Sequence, residues 1–333
     1  MTGLVLVLTF TGAEIFLRIC YPSSINWYWR LFIHTRDDPT VNTFDSVLGW
    51  RPLPGRYIIP AYSAGFSDIT MTIWPDGSRA TAPRRNSKER SLVAIGCSLT
   101  QGWAISDEET MFWKLQERHP QIEVVNLGVV GYSTYQSLLL LEEYLRKAEP
   151  APAVVVYGLI SHHTLRNVAD HYWLLVLSHL SNRGNVFLPY CQIEKKNGED
   201  GLKCFPPESY PHWAGDHASY LISFLKDTFL RFKSHHRLKQ ARPVTEQLIL
   251  KMKNVCEQGG IKFYVVIFEV YNELEAKYYT NFLKKSGIRY VNCVDQEREN
   301  LPEMKVPGEG HPNAAMNTIW ADCIEAGIKA ELN

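Results

Sequence analysis

The chain has no excess of charge of either sign, because 35 lysines and arginines balance 35 aspartates and glutamates in 333 residues. Nucleic-acid binding usually leaves a basic footprint. Here only Arg84-Arg85 and the stretch from Arg231 to Arg242 stand out as basic, so nucleic acid is not an expected partner. The seven cysteines include no Cys-x-x-Cys and no zinc-ligand spacing. They read mostly as small buried apolar residues, with Cys191 and Cys204, on either side of a polar loop, as one candidate disulfide. Also missing are a Gly-x-Ser-x-Gly elbow, a phosphate-binding glycine loop with Lys-Ser/Thr, a dinucleotide fingerprint and a His-Glu-x-x-His pair. No metal and no organic cofactor is implied by what the sequence holds.

Long apolar runs are scarce too. Gly3 to Ala13 is uncharged, but Glu14 interrupts it and Arg18 follows Ile15-Phe16-Leu17. A membrane span needs about 20 apolar residues. The segment also lacks the basic start and small-residue cleavage site of a secretory signal. Residues 1–20 therefore read either as the end of a membrane anchor, with the body of the protein outside the cytoplasm, or as a helix packed on the domain. The aromatic and arginine-rich stretch from Trp27 to Phe32 resembles a membrane interface and tips the expectation toward the anchor.

Proline and glycine punctuate residues 21–90, as in short strands joined by turns. Asp76-Gly77 after Met71-Thr72-Ile73 suggests a tight turn. This stretch reads as an N-terminal extension. From residue 91 to the end, strands and helices alternate. Strands are expected at Leu92–Ile95, Val124–Leu127, Ala153–Tyr157, Lys262–Phe268 and Arg289–Val294. Helices are expected at Glu108–Arg118, Thr134–Lys147, Glu246–Gln258, Ala276–Lys285 and Ala314–Ala330. Such alternation argues for a parallel sheet covered on both faces. Residues 168–240 break the pattern and read as a helical insertion, with apolar runs at Tyr172–Leu180 and Tyr220–Phe232 around a polar Lys195-Lys196-Asn197-Gly198 loop. It lies either over the site or as simple extra packing.

Four segments follow expected strand ends: Gly96-Cys97-Ser98, Asn126 to Thr134, Tyr157 to Asn167, and Gly308 to Asn313. Sites in open α/β sheets form at that edge. A Gly-x-Ser turn often only caps a helix, but here it has company. Acyl transfer needs a nucleophile, a base, a group that orients the base, and donors aimed at the oxyanion. Ser98 fits the first role, His311 the second and Glu309 the third. The backbone N–H groups of Ser98 and Gly131 fit the oxyanion, together with a ring N–H from His162 or His163. His162-His163 can also be read as a purely structural or metal-contacting pair, and His311 as a helix cap.

These blocks resemble those of the SGNH (GDSL-type) hydrolase superfamily. Gly96-Cys97-Ser98-Leu99-Thr100-Gln101-Gly102 is similar to its first block, Asn126 to Thr134 to its second, and Glu309-Gly310-His311-Pro312-Asn313 to its last. The resemblance covers about residues 90–330. Cys97 stands where the family has aspartate. The third block lacks its asparagine, with His162 at that position and His163 next to it. Glu309 replaces the usual aspartate, so either it or a backbone carbonyl orients His311. The resemblance implies a three-layer α/β/α flavodoxin-like fold and an acyl-enzyme at Ser98. It implies a small-molecule or glycan ester as substrate, an O-acyl, for instance acetyl, ester of a glycan or lipid. An O-acyltransferase with the same Ser-His site and a catalytically inactive binding protein are the alternatives.

Overall fold

The computed structural model describes residues 2–20, 39–85, 88–180, 187–196, 199–216 and 218–332. The Trp27 to Phe32 stretch lies outside them. Five strands form the central sheet: β5 (Ser91–Gly96), β6 (Glu123–Gly128), β7 (Val154–Ile160), β10 (Lys262–Glu269) and β11 (Arg289–Asn292), in the order β6-β5-β7-β10-β11. Every neighbouring pair is parallel. β5 and β7 are buried along their whole length, as expected for strands covered on both faces.

Side chains alternate between two cores. Val93 and Ile95 join Val125, Leu127, Val155 and Tyr157 on one face. There they pack under α4 (Thr134–Leu145), α8 (Ala241–Gln258) and α9 (Glu273–Lys285) through Leu138, Leu248, Met252 and Leu283. Leu92 and Ala94 face the other way with Val124, Val156 and Val266. They pack under α3 (Met111–Arg118) and α10 (Ala314–Gly327) through Phe112, Leu115, Met316 and Trp320. Each large side chain so buried contributes roughly 1.5–3 kcal/mol, and a sheet apolar on both faces is stable only between two helical layers. The result is a three-layer α/β/α fold with flavodoxin-like strand order. Its switch point, where ligand crevices form, lies between the C-terminal ends of β5 and β7.

Local signals set the helix starts. Thr110 caps α3 by accepting from Trp113 N. The helix therefore begins three residues later than the sequence suggests, after a 3₁₀ turn over Asp107–Glu109. Ser133 and Gln136 form a reciprocal capping box at α4. α8 starts earlier than expected, at Ala241; Pro243 lies in its first turn, where a missing N–H costs little.

The preceding residues supply α1 (Thr2–Cys20) and two antiparallel pairs: β1 (Asn42–Asp45) with β2 (Gly49–Pro52), and β3 (Gly55–Ile59) with β4 (Ile69–Ile73). No helix among the described residues is long and apolar enough to cross a membrane, which overturns the expected anchor. Glu14 of α1 is engaged with the protein instead. It accepts from Ser219 Oγ and from the backbone N–H groups of Tyr220 and Leu221, at the start of α7 (Tyr220–Leu238). Those backbone N–H groups hold its carboxyl down at about 2. Arg18 reaches Ala218 O at 3.0 Å.

The stretch from 168 to 240 is not all helical. Between α6 (His171–Leu180) and α7 stand two paired strands, β8 (Phe187–Lys196) and β9 (Glu199–Ser209). Cys191 and Cys204 face each other across the pair and form a disulfide. A second disulfide joins Cys293, just past β11, to Cys323 on α10. Four of the seven cysteines are thus cross-linked rather than simple core residues.

Candidate active site

The turn after β5 is built by close approach. Gly96 has φ +154°, and a Cβ there would lie 2.2 Å from Thr100 Oγ1. The following short helix, α2 (Ser98–Gln101), presses on the end of β6, where a Cβ on Gly128 would fall 2.4 Å from Gln101 N. Asn126 fastens the same helix by donating to Thr100 O at 3.0 Å and accepting from Gly128 N. Behind it lies the buried Arg79 guanidinium, bonded to the carbonyls of Gln101, Gly102 and Ile105 and to the Asp107 carboxylate. Ser98 is thereby fixed at the first position of α2, where backbone N–H groups have no helical acceptor. Its own N–H has no acceptor among the described residues.

The loop ahead of α10 brings the other two groups. His311 Nε2 lies 2.9 Å from Ser98 Oγ. His311 Nδ1 lies 2.8 Å from both carboxylate oxygens of Glu309, and Oε2 also accepts from the His311 backbone N–H at 2.8 Å. Trp103 Nε1 donates to Oε1 at 3.1 Å. Burial alone would raise the Glu309 carboxyl, but these donors outweigh it and hold the group below its ordinary value. Asn313 caps α10 through Ala315 N and Met316 N, so His311 is free of that task.

The second loop, Val129 to Ser133, spends nearly all its donors internally. Val129 N bonds Gly96 O, Val130 N bonds Gln101 Oε1, Tyr132 N bonds Val129 O and Ser133 N bonds Gln136 Oε1. Gly131, at φ +80°, has the N–H left without an acceptor among the described residues. Trp50 of β2 clamps this loop from outside: its Nε1 donates to Val130 O at 3.0 Å, and its carbonyl accepts from Tyr132 Oη.

The two candidate histidines part company. His162 is half exposed, with Nδ1 3.2 Å from Tyr271 Oη and Nε2 4.0 Å from Glu269. Burial, then the charges of Arg166 and His311, lower it to about 4, so it is neutral at pH 7. His163 turns inward. Its Nδ1 is 2.7 Å from Tyr157 Oη, in a buried chain through Thr134 and Asn167 to Thr245. His163 is fully buried, and its Nε2 has no partner among the described residues. Among the described residues no three histidine, cysteine or carboxylate side chains converge as a metal site requires.

The sequence reading missed Trp103 and Trp50. Trp103 is five residues past Ser98, at the end of α2, which is a usable signal. Trp50 reaches the loop from 80 residues away, and no local pattern announces it.

No protein-family model and no curated protein sequence matches the chain. Solved structures overlap it partly. TesA aligns over 73% of this chain and 99% of its own, with 14% identity and a TM-score of 0.45. The psychrotrophic esterase EstA from Pseudoalteromonas sp., in a form inhibited by monoethylphosphonate, aligns over 73% and 99%, at 13% and 0.44. AlinE4, an SGNH-hydrolase family esterase, aligns over 74% and 99%, at 15% and 0.38. Overlap of that extent carries no functional inference.

Proposed function

We propose that the chain is a serine acyl-hydrolase of the SGNH type. The observation that carries this reading is the continuous relay from Ser98 Oγ to His311 Nε2 (2.9 Å) and from His311 Nδ1 to Glu309 (2.8 Å). Those distances are within the reach proton transfer needs. Ser98 Oγ attacks the ester carbonyl carbon while its proton passes to His311 Nε2. The tetrahedral oxyanion accepts from the N–H groups of Ser98 and Gly131. His162 adds a third donor when Tyr271 donates to its Nδ1, which leaves the ring proton on Nε2. The C–O bond to the alcohol breaks, and the alkoxide takes the proton from His311. Water then attacks the Ser98 ester and gives its proton to His311. The acid departs as Ser98 Oγ recovers that proton. Glu309 keeps Nδ1 protonated and stabilises the imidazolium.

The substrate expected from the family resemblance is an O-acyl ester, acetyl being the smallest, on a glycan or lipid. A fluorophosphonate probe tests the reading. Labelling of the parent protein and none of Ser98→Ala supports it, whereas no labelling of either leaves a binding protein. Acetate release measured with and without a sugar acceptor separates hydrolysis from acyl transfer.

A further inference from the structure

Arg166 lies on α5 (His163–Asn167), four residues past His162. Its side chain is buried, with the whole residue 7% exposed. Among the described residues no carboxylate comes within ion-pair reach of it, and its Nε is buried without a partner. The carboxylate whose charge acts on it is Glu269, after the Cys97 thiol. Burial raises that carboxyl. The guanidinium lies beside the Cys97 thiol, next in sequence to Ser98.

A buried guanidinium without a carboxylate is costly, so its other contacts indicate what it is for. Nη1 donates to the Tyr132 carbonyl at 3.0 Å, and the guanidinium carbon stacks 4.2 Å from the centre of the Trp173 ring. Both contacts lead to one place. Tyr132 follows Gly131, and the Trp173 ring comes within 3.5 Å of where a Gly131 Cβ would stand. Gly131 carries the loop's free N–H. Arginine suits this task better than lysine, because a planar fork can hold a carbonyl while it stacks on an indole.

We propose that Arg166 is a positioning residue for acyl transfer: it pins the Gly131 loop through the Tyr132 carbonyl and Trp173, and places a fixed positive charge behind the oxyanion donors. This rests on the acyl-transfer reading above. Preorganised donors act on the transition state rather than on substrate binding, so the effect falls on kcat.

The test uses the full chain with p-nitrophenyl acetate and a fluorophosphonate. Arg166→Met lowers kcat and the rate of Ser98 phosphonylation together, by about 10- to 100-fold, somewhat less than loss of a whole oxyanion donor. KM changes by less than about threefold, as expected for a contribution confined to the transition state. Arg166→Lys, with the charge but not the fork, falls between. Guanidinium ion added at non-denaturing concentration restores part of the rate of Arg166→Ala and none of Glu309→Gln. If Arg166→Met does not fold, Trp173→Leu leaves the arginine in place and removes its platform; kcat then drops about 3- to 10-fold, the share of a lost cation–π contact. A folded Arg166→Met or Trp173→Leu with unchanged kcat overturns the proposal. So does a rise in KM alone, which would make Arg166 a reader of anionic substrate. Absence of Ser98 labelling in the parent protein overturns the acyl-transfer reading itself, a different result from labelled parent and indifferent Arg166.

Discussion

Glu309→Gln keeps the shape of the carboxylate and removes its charge, and the geometry makes even that change severe. Both oxygens already serve as acceptors. Oε1 takes Trp103 Nε1–H and faces His311 Nδ1, while Oε2 takes the His311 backbone N–H and faces the same Nδ1. Whichever oxygen becomes an amide nitrogen meets a donor. With the amide at Oε1 it opposes the indole, and with the amide at Oε2 it opposes the backbone N–H. Loss of one charge-assisted bond, with a donor left unmet, costs about 1–3 kcal/mol of stability and lowers Tm by about 2–8 °C. The catalytic loss is larger. An amide N–H aimed at Nδ1 stabilises the tautomer with its proton on Nε2, which cannot accept from Ser98. A base locked in that form loses about 10³–10⁴ in rate, or about 4–5.5 kcal/mol. Glu309→Ala leaves the imidazole free to choose its tautomer and should be the less damaged of the two. Fluorophosphonate labelling rates and p-nitrophenyl acetate hydrolysis, each beside a thermal melt, read the outcome. A folded Glu309→Gln within threefold of the parent would refute the relay from His311 to Glu309.

Three further outcomes follow from the same contacts. Gly128→Ala forces a methyl to within 2.4 Å of Gln101 N and 2.8 Å of Thr100 C; these are backbone atoms that cannot swing aside, so Ser98 labelling should fall at least about tenfold along with Tm, the cost of roughly 1 kcal/mol or more of overpacking. Cys293→Ser with Cys323→Ser opens a link across 30 residues that contain both Glu309 and His311; urea unfolding should show a loss of about 3–4 kcal/mol on chain-entropy grounds, and an unchanged midpoint would contradict it. Glu309 titrates lower in the folded chain than in the unfolded one, so its stabilising contribution is complete above about pH 4.3 and is lost as pH falls through the depressed folded value. The stability gap between the parent and Glu309→Gln should therefore narrow between pH 6 and pH 3 in urea titrations, by about 1 kcal/mol or more per unit of pKa difference.

The parallel sheet was readable because each of its inner strands is a short unbroken apolar run, and because a glycine, serine or histidine marks the end where the chain turns back. That Ser98, Glu309 and His311 would lie together was readable for the same reason, since strand ends collect in one place. What stayed hidden depends on side chains meeting at long range. Cys293 and Cys323 are 30 residues apart with no framing motif. Arg166 stood unremarked inside the Tyr157 to Asn167 segment, and its burial against Trp173 is what sets it apart. The antiparallel pair of β8 and β9 was masked by the charged Lys195 and Lys196 and by apolar flanks that read as helix. The N-terminal segment was read as an anchor from its apolar run, but its helix is not long and apolar enough to cross a membrane. The decisive residue there was Glu14, which caps α7.

The indole of Trp50 gives the early residues a stake in the chemistry. It stands 3.1 Å from the Cβ position of Gly131, whose φ of +80° already disfavours any other residue, so alanine there would press on a side chain contributed by a separate β-ribbon. A chain trimmed to begin at β5 would lose this indole from the Gly131 loop and, with it, the Arg79 guanidinium that braces the carbonyls of the turn after Ser98.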